Sequence, residues 1–459
     1  MISILKAGAI LFLYCLLYLP VSAQTGDSAT IRKIVTETLQ HGKAYENLRL
    51  LCKDIGPRLS GSEQAAKAVE ATRKMLIDAG ADTVYLQPCM VPHWVRGEKE
   101  SGFLKIPGKE DMPLALCALG NSVATPVAGI LAEVIEVSSM EQLQQLGERA
   151  LKGKWVFFNI AMDPAYIQTF TAYGKSGIGR RSGPAQASKY GAIGVMVRSL
   201  ASNVDDYPHT GVTQYNDSFP KIPAVAISTR QSEYLSNMLK KGKVSAWIKT
   251  SCKQLPDVLS YNVIGELRGR ETAKDIITVG GHLDSWDLGE GAQDDGAGCV
   301  QSIEVIRILK ALNLRPKRTI RAVMFMNEEN GGRGAEQYLS IAIEKNEQHL
   351  FALESDAGGF SPKAFSFDVT DSVYSRLMQW QPWFVPVGTV EFRRGGSGSD
   401  IGPLKKLGTS LCGLSPDSQR YFDLHHAATD VFEAVSRREL LLGAGNMAAL
   451  IWLVSENGL

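Results

Sequence analysis

Several features that would narrow the function are scarce in this sequence. Seven cysteines are spread over 459 residues without a Cys-x-x-Cys pair, and no disulfide pairing can be deduced from their spacing. A chain of this length can bury a large core and does not need bridges. The formal net charge is only +1, which gives no indication of a nucleic-acid or membrane-surface partner. Internal repeats and low-complexity tracts are not evident either.

Beyond the N-terminus we expect no stretch that is long and apolar enough to cross a bilayer. Lys6 precedes an apolar run over residues 9–19, and Val21-Ser22-Ala23 supplies small residues at a cleavage position. The pattern predicts a signal peptide over residues 1–23. A membrane anchor is the alternative, but the run is short for a bilayer span, and no cysteine follows Ala23 to carry a lipid. We therefore expect a soluble mature protein without a membrane anchor, either secreted or periplasmic.

Strand-like and helix-like segments alternate through the C-terminal half of the chain. Apolar runs near residues 276–279, 319–327 and 350–356 each precede a helical or glycine-rich segment. Alternation of this kind predicts an α/β fold with a mostly parallel, mixed sheet covered by helices on both faces. The N-terminal part of the same domain is expected over residues 24–120, and its metal-binding part over residues 256–459.

The segment between these parts differs in its pattern of residues and is expected to form a separate module. Residues 121–255 contain short strands and helices but no plausible cluster of metal ligands or nucleophiles. Its lone His209 is expected at the surface, not at a metal. We therefore interpret residues 121–255 as an α/β domain inserted into the catalytic domain.

Chemically active side chains gather where the predicted strands of the C-terminal part end. They are His282, Asp284, Asp294, Glu328, Glu329, Asp356 and the pair His425-His426. Open α/β sheets bind ligands at the carboxyl ends of their strands, so these groups are expected along one rim. Carboxylates packed so closely would repel one another unless a cation neutralised them or their pKa values rose. Imidazole and carboxylate ligands suit Zn²⁺, and less securely Mn²⁺ or Co²⁺.

Each of these signals has an ordinary structural explanation when it is taken alone. A His-x-Asp is usually a structural pair, Glu-Glu usually begins a solvated helix, and His-His can occupy a surface turn. Ser397 is followed by Gly398-Ser399 and does not form the nucleophile elbow of a serine hydrolase. The functional interpretation depends on all the groups occurring together at strand ends.

Taken together in their order along the chain, the motifs resemble those of the co-catalytic di-zinc aminopeptidase family, and within it those of the carboxypeptidase Q-like group. The resemblance covers nearly the whole mature chain, including an inserted segment similar to a protease-associated domain. It is carried by His282-Leu283-Asp284, Asp294-Asp295-Gly296, Asn327-Glu328-Glu329, Ser355-Asp356, His426 with Asp430, and the N-terminal stretch 55–62. One departure is Asn330-Gly331-Gly332-Arg333, where the group more often has a single Gly-Leu.

The resemblance implies a role for each residue at the rim. His282 and Asp356 would bind one zinc ion, Glu329 and His426 the other, and Asp294 would bridge the two. Glu328 would be the general base, and Asp284 would sit behind His282, accept its other N–H and fix its tautomer. His426 is favoured over His425 because Asp430 lies four positions after it. A cis peptide bond between Asp294 and Asp295 is also implied.

The implied activity is that of a zinc metallo-exopeptidase acting on dipeptides or short peptides, with a homodimer as a further expectation of the resemblance. Two alternatives stay open: a receptor-like binding protein that keeps the metals, and a related zinc acyltransferase of the glutaminyl cyclase type. Arg393, Arg394 and Ser399 are candidates for recognition of a substrate terminus, and Asp400 is expected to cap or orient their glycine-rich loop.

Overall fold

A computed structural model describes residues 24–459, so the expected signal peptide lies outside the described residues. The strands in chain order are β1 Thr83–Val95, β2 Ser101–Lys105, β3 Met112–Pro113, β4 Leu116–Ala118, β5 Ile130–Val137, β6 Trp155–Phe158, β7 Gly194–Arg198, β8 Ala224–Ile227, β9 Ser245–Lys249, β10 Lys253–Leu267, β11 Thr272–His282, β12 Arg318–Phe325, β13 Gln348–Glu354, β14 Pro362–Asp368, β15 Glu391–Arg394 and β16 Ser410–Pro416.

The α-helices are α1 Gln24–His41, α2 Ala44–Arg49, α3 Glu63–Asp78, α4 Met140–Leu151, α5 Thr169–Ser176, α6 Ile178–Arg181, α7 Gly183–Lys189, α8 Thr229–Leu239, α9 Ala297–Ala311, α10 Arg333–Glu344, α11 Asp371–Met378, α12 Gln381–Phe384 and α13 Arg437–Asn457. Shorter 3₁₀ and π turns connect them, including a π turn at Ala292–Gly296 and a 3₁₀ turn at Ser418–Asp423.

The larger part of the chain is organised around an eight-stranded sheet of order β1-β10-β12-β11-β13-β16-β14-β15. Four of its seven neighbouring pairs are parallel, including the central β12-β11-β13-β16 run. The predicted α/β fold with a mostly parallel, mixed sheet is therefore confirmed. The antiparallel pairing of β1 with β10 along most of their lengths is not evident from the sequence, since β1 and β10 are far apart along the chain.

Alternate residues of the central strands enter two separate cores, as the two-residue period of a strand requires. On β12, Ala322 and Met324 pack with α9 and α13, while Val323 and Phe325 pack with α10 on the opposite face. Helices thus cover both faces of this sheet. Apolar burial on two sides stabilises the strands whose ends carry the candidate site.

The inserted module forms a second eight-stranded sheet of order β3-β2-β9-β5-β6-β7-β8-β4. The chain enters the module after β1 and leaves it before β10. Because β1 and β10 pair antiparallel, the two connections to the module lie side by side. Residues 101–118 belong to this second sheet, whereas the sequence interpretation placed them in the catalytic part. We propose that the inserted domain begins near residue 100 instead of residue 121.

Two helix starts follow directly from local chemistry. The Ser62 hydroxyl accepts the Ala65 N–H at the start of α3, and the Ser436 hydroxyl accepts the Glu439 N–H at the start of α13, as expected of N-caps. Among the described residues, α13 alone is long and apolar enough to span a membrane by composition, but 78% of its apolar window is buried inside the fold. It is a core helix, packed against α1 and α9.

Candidate metal centre

Five candidate ligands meet at the carboxyl ends of four adjacent strands. His282 ends β11, Glu329 follows β12, and Asp356 follows β13. His426 comes from the loop that follows β16, and Asp294 lies in the π turn between β11 and α9. Because β12, β11, β13 and β16 are neighbours in that order, groups distant in the chain reach one rim. All five side chains are buried or nearly so.

Asp294 lies between two imidazoles. Its Oδ1 atom is 3.2 Å from Nε2 of His282, and its Oδ2 atom is 3.2 Å from Nε2 of His426. On the far sides, His282 Nε2 is 3.5 Å from Asp356 Oδ1, and His426 Nε2 is 3.2 Å from Glu329 Oε2. The five groups therefore divide into two sets that share one carboxylate.

These separations suit a zinc ion in each set. Zn–N and Zn–O bonds are about 2.0–2.2 Å, so two donors on one tetrahedral ion lie about 3.3–3.5 Å apart. Asp294 Oδ2 and Glu329 Oε1 are also buried without a hydrogen-bond partner among the described residues. Buried carboxylate oxygens without donors are costly, and a cation would supply the missing partner. Distances, donor chemistry and orphaned oxygens all fit zinc.

The charges of the cluster are mutually dependent. Burial and the charge of Asp294 raise the pKa of Glu329 to about 8, and burial raises the pKa of Asp356 to about 6. Burial disfavours the charged form of His282, yet hydrogen bonds with Asp294 and Asp356 raise its pKa well above the usual value. The protein's own groups can balance these carboxylates only by holding protons, which is the electrostatic setting of a cation site.

Two neighbouring residues could compete for the ligand roles, and their contacts distinguish them. Asp295 accepts the backbone N–H groups of His282 and Gly298, each at 3.0 Å, so its carboxylate is already engaged. His425 Nε2 approaches Asp294 Oδ2 at 3.6 Å, whereas His426 contacts both Asp294 and Glu329. The Asp294–Asp295 peptide bond is cis, which confirms that expectation.

Asp284 makes two separate sets of contacts. The Nδ1 atom of His282 lies 2.9 Å from the Asp284 backbone oxygen, while the Asp284 carboxylate is 4.0 Å away. That carboxylate accepts the backbone N–H groups of Asn327, Glu328 and Glu329, at 2.7, 3.1 and 3.3 Å. The carbonyl oxygen of Asp284 is thus the acceptor beside the His282 ring, and its side chain holds the Glu328-Glu329 segment.

A bend before the glutamate pair brings both side chains to the rim. It lies at Asn327, which has a left-handed backbone with φ of 73°. Glu328 is half-buried, and its Oε1 atom accepts the Ser399 hydroxyl at 2.7 Å. Glu328 thus faces the cleft without entering either donor set, which matches the position expected of a proton carrier.

The glycine-rich loop after β15 is held by a residue that the sequence did not single out. Glu354 accepts the N–H of Ser399 at 3.0 Å and of Ile401 at 2.8 Å, whereas Asp400 Oδ2 is buried without a partner among the described residues. The loop borders a cavity of about 550 Å³ that also reaches Asp356 and contains Arg393 and Arg394 in its lining. Arg394 pairs with Asp371, so of these two arginines Arg393 is the less engaged.

Comparison with known proteins assigns this centre to a family. Residues 262–451 match the profile described as Peptidase family M28. Carboxypeptidase Q of Bos taurus is 35% identical over 437 residues, covering 94% of this chain and 88% of that protein. The chain belongs to peptidase family M28. It is a metallo-exopeptidase by that membership, and carboxypeptidase Q of Homo sapiens is similar to it at the same identity and coverage.

Solved structures agree with this assignment. A crystal structure of a Peptidase M28 precursor from Shewanella amazonensis has a TM-score of 0.90 and 30% identity, covering 95% of this chain and 98% of that one. A zinc aminopeptidase from Bacillus subtilis has a TM-score of 0.64 at 22% identity and shares the fold. The M28 fold therefore extends over nearly all of the described chain, inserted domain included.

Two residues around the centre of this M28 peptidase have contacts that the sequence motifs did not indicate. Arg58 is fully buried and donates to the backbone oxygens of Leu283, Glu290 and Gly291, which holds the loop between β11 and α9. Asp430 accepts the N–H groups of Gln293 and Asp294, at 2.7 and 3.2 Å, and so positions the backbone of Asp294. Only a long-range contact reveals these roles.

The inserted domain also reaches the centre. Arg180 is 5% exposed and lies beside the candidate ligands, with Nη1 at 3.4 Å from Nδ1 of His426. His209, expected at the surface, is only 2% exposed. Burial lowers the pKa of His209 to about 4, so its imidazole is neutral at physiological pH. The surface assignment of His209 is therefore wrong, since the residue is packed between the two domains.

Proposed function

We propose that this M28 peptidase is an exported exopeptidase that binds two zinc ions and hydrolyses dipeptides or other short peptides. One observation carries the proposal: each oxygen of Asp294 is 3.2 Å from a different imidazole nitrogen. His282 and Asp356 would hold one ion, Glu329 and His426 the other, and Asp294 would bridge them. Export rests on the signal-like pattern of residues 1–23.

The chain's own groups supply the remaining chemistry. A bound metal pair would lower the pKa of a water and polarise the scissile carbonyl. Glu328, which lies at the rim but outside both donor sets, would take the proton from the attacking water and deliver it to the leaving amine nitrogen. Asp284 holds the backbone of Glu328 and Glu329, and Ser399 donates to Glu328, so the carboxylate is directed into the cleft.

The size and lining of the cleft support a small peptide as substrate. The cavity of about 550 Å³ lies within the range of about 300–1,000 Å³ that holds small ligands. The inserted domain contributes Phe170 and Thr171 to its wall. Walls from two domains favour a chain end or a short peptide over the middle of a folded protein.

The test is hydrolysis by purified protein that begins at Gln24. We expect release of free amino acids from unblocked dipeptides, loss of activity on chelation, and recovery when Zn²⁺ is restored. A panel with blocked amino or carboxyl ends would identify the recognised terminus. Zinc binding without turnover of any peptide would contradict the proposal and favour a receptor-like protein.

A further inference from the structure

A short segment of the inserted domain, residues 209–211, lies directly against the turn that carries the candidate ligand His426. The Nδ1 atom of His209 is 2.6 Å from the carbonyl oxygen of His425. The N–H of Thr210 donates to the carbonyl oxygen of His426 at 3.0 Å. Both carbonyls of the histidine pair therefore accept a hydrogen bond from the other domain.

The histidine turn has an unusual backbone that calls for such support. His426 has φ of 64°, a left-handed conformation that is uncommon for residues other than glycine. Its ring stacks on the ring of His425, with centroids 3.5 Å apart. Within its own domain, the turn is held by the N–H of His425 on Tyr421, at 2.9 Å, and the N–H of Ala427 on Leu424, at 3.0 Å. The inserted domain thus supplies the hydrogen-bond donors for the two carbonyl oxygens of the turn.

The same segment sets the orientation of the His426 ring. Nδ1 of His426 lies 3.2 Å from the carbonyl oxygen of Thr210 and 3.4 Å from Nη1 of Arg180. In the tautomer that carries its proton on Nδ1, the ring donates to Thr210. The lone pair of Nε2 then points towards Asp294 and Glu329, as a metal ligand requires. Gly211 makes the approach possible, because a Cβ there would be 2.7 Å from His426 Nδ1 and 2.4 Å from Arg180 Nη1.

We infer that the inserted domain is part of the metal centre, with His209 as a positioning residue that fixes His426 in its ligand orientation. The inference rests on the proposed function, since it takes His426 as a zinc ligand. The burial of His209 accords with this role: a neutral, almost fully buried imidazole directs its N–H to the carbonyl beside the ligand.

Zinc binding by two variants at position 209 tests the inference. His209→Leu removes the donor, whereas His209→Asn offers an amide N–H in a similar place. We expect His209→Leu to weaken zinc binding at one site by about 10–100-fold, as loss of a hydrogen bond that supports a ligand does, and His209→Asn to stay near wild type. Ser188→Ala is the matched control, because it removes a buried hydrogen bond of the inserted domain, to the oxygen of Pro220.

The measurements are zinc titration of the apoprotein against a chromophoric chelator and the visible spectrum of the Co²⁺-substituted protein, which reports ligand geometry. Thermal unfolding shows that each variant is folded. A folded His209→Leu protein with wild-type zinc affinity and an unchanged cobalt spectrum would overturn the inference.

Gly211→Ala is a second variant if His209→Leu does not fold. Its added methyl would displace Arg180 or His426, and the same loss of zinc affinity is expected; unchanged affinity would again overturn the inference. The two proposals fail differently. If the wild-type protein binds no zinc and cleaves no peptide, both the proposed function and this inference are wrong. If the wild-type protein is active and binds two zinc ions but the variants bind zinc as it does, only the inference is wrong.

Discussion

The main sheet carries two buried polar clusters whose chemistry contrasts. Towards the start of β12, Arg321 lies between Glu266, 2.7 Å from its Nε, and Glu347, which it contacts at 2.7 and 3.1 Å. Tyr338 and His349 complete this arginine cluster. Beyond the end of β12 lies the metal rim, where carboxylate oxygens of Asp294 and Glu329 have no donor among the described residues.

The comparison distinguishes charged groups that stabilise the fold from charged groups that serve the proposed reaction. The arginine cluster supplies its own cation and a hydrogen-bond partner for each carboxylate, so it stabilises the fold without a ligand. At the metal rim the carboxylates lie among imidazoles without enough donors in the described part of the chain, and the zinc ions that we propose would supply the missing positive charge. Substitutions in the arginine cluster should therefore alter stability, and those at the rim should alter catalysis and metal binding.

The largest expected effect is that of Glu328→Gln at the rim. Loss of the proton carrier should lower kcat by about 10²–10⁴-fold, while zinc content and melting temperature stay near wild type. Glu347→Gln is the matched control, since the same chemical change in the arginine cluster should leave the activity of the folded protein intact. A fully active Glu328→Gln enzyme would show that the general base lies elsewhere.

Arg321→Met should have the largest effect on stability. It leaves the partly buried Glu266 and Glu347 without their cation, and we expect a cost of about 3 kcal/mol, the lower end of the range for fully buried pairs. We expect chemical denaturation to show this loss at neutral pH while kcat of the folded fraction is unchanged. Unaltered stability would remove the contrast between the two clusters.

Glu347→Gln should lower stability in a way that depends on pH. Burial opposes ionisation, yet hydrogen bonds from His349 and Arg321 lower the pKa of Glu347 to about 2, from 4.5. Because the folded-state pKa is the lower one, the contribution is fully present above pH 4.5 and is lost as the pH falls towards 2. The variant should be less stable by about 2–3 kcal/mol at pH 7, and the difference should vanish in acid. A difference independent of pH would refute this origin.

Ser399→Ala should have the smallest effect. The hydroxyl donates to Glu328 Oε1 at 2.7 Å from an exposed position, so its loss should lower kcat about two- to tenfold. Zinc content and stability should not change. A loss as large as that of Glu328→Gln would mean that Ser399 contacts the reacting atoms directly, and steady-state kinetics distinguishes the two.

The sequence was sufficient for the fold class and for the convergence of the rim. Parallel strands place the residues after their carboxyl ends along one edge of the sheet. The sequence alone therefore predicted that His282, Glu329 and Asp356 lie close together. The N-caps at Ser62 and Ser436 are equally local, since donor and acceptor are three residues apart. Sequence patterns predict such features because the interacting groups are only a few residues apart in the chain.

Contacts between distant segments could not be predicted in the same way. His209 seemed an ordinary surface residue because nothing near it in sequence shows that residues 425–426 pack against it. The sequence does not indicate the start near residue 100 that we propose for the inserted domain, because β2 to β4 resemble any short strands until their partners are known. For Asp284 the contact with His282 could be predicted, but spacing alone cannot show that the carbonyl oxygen faces the ring and the carboxylate does not.

Crystals of the protein with zinc, measured at the zinc absorption edge, give the most direct test of the account. It predicts two anomalous peaks about 3.5–4 Å apart on either side of Asp294, one beside His282 and Asp356 and the other beside Glu329 and His426. A single peak, or peaks away from Asp294, would contradict it.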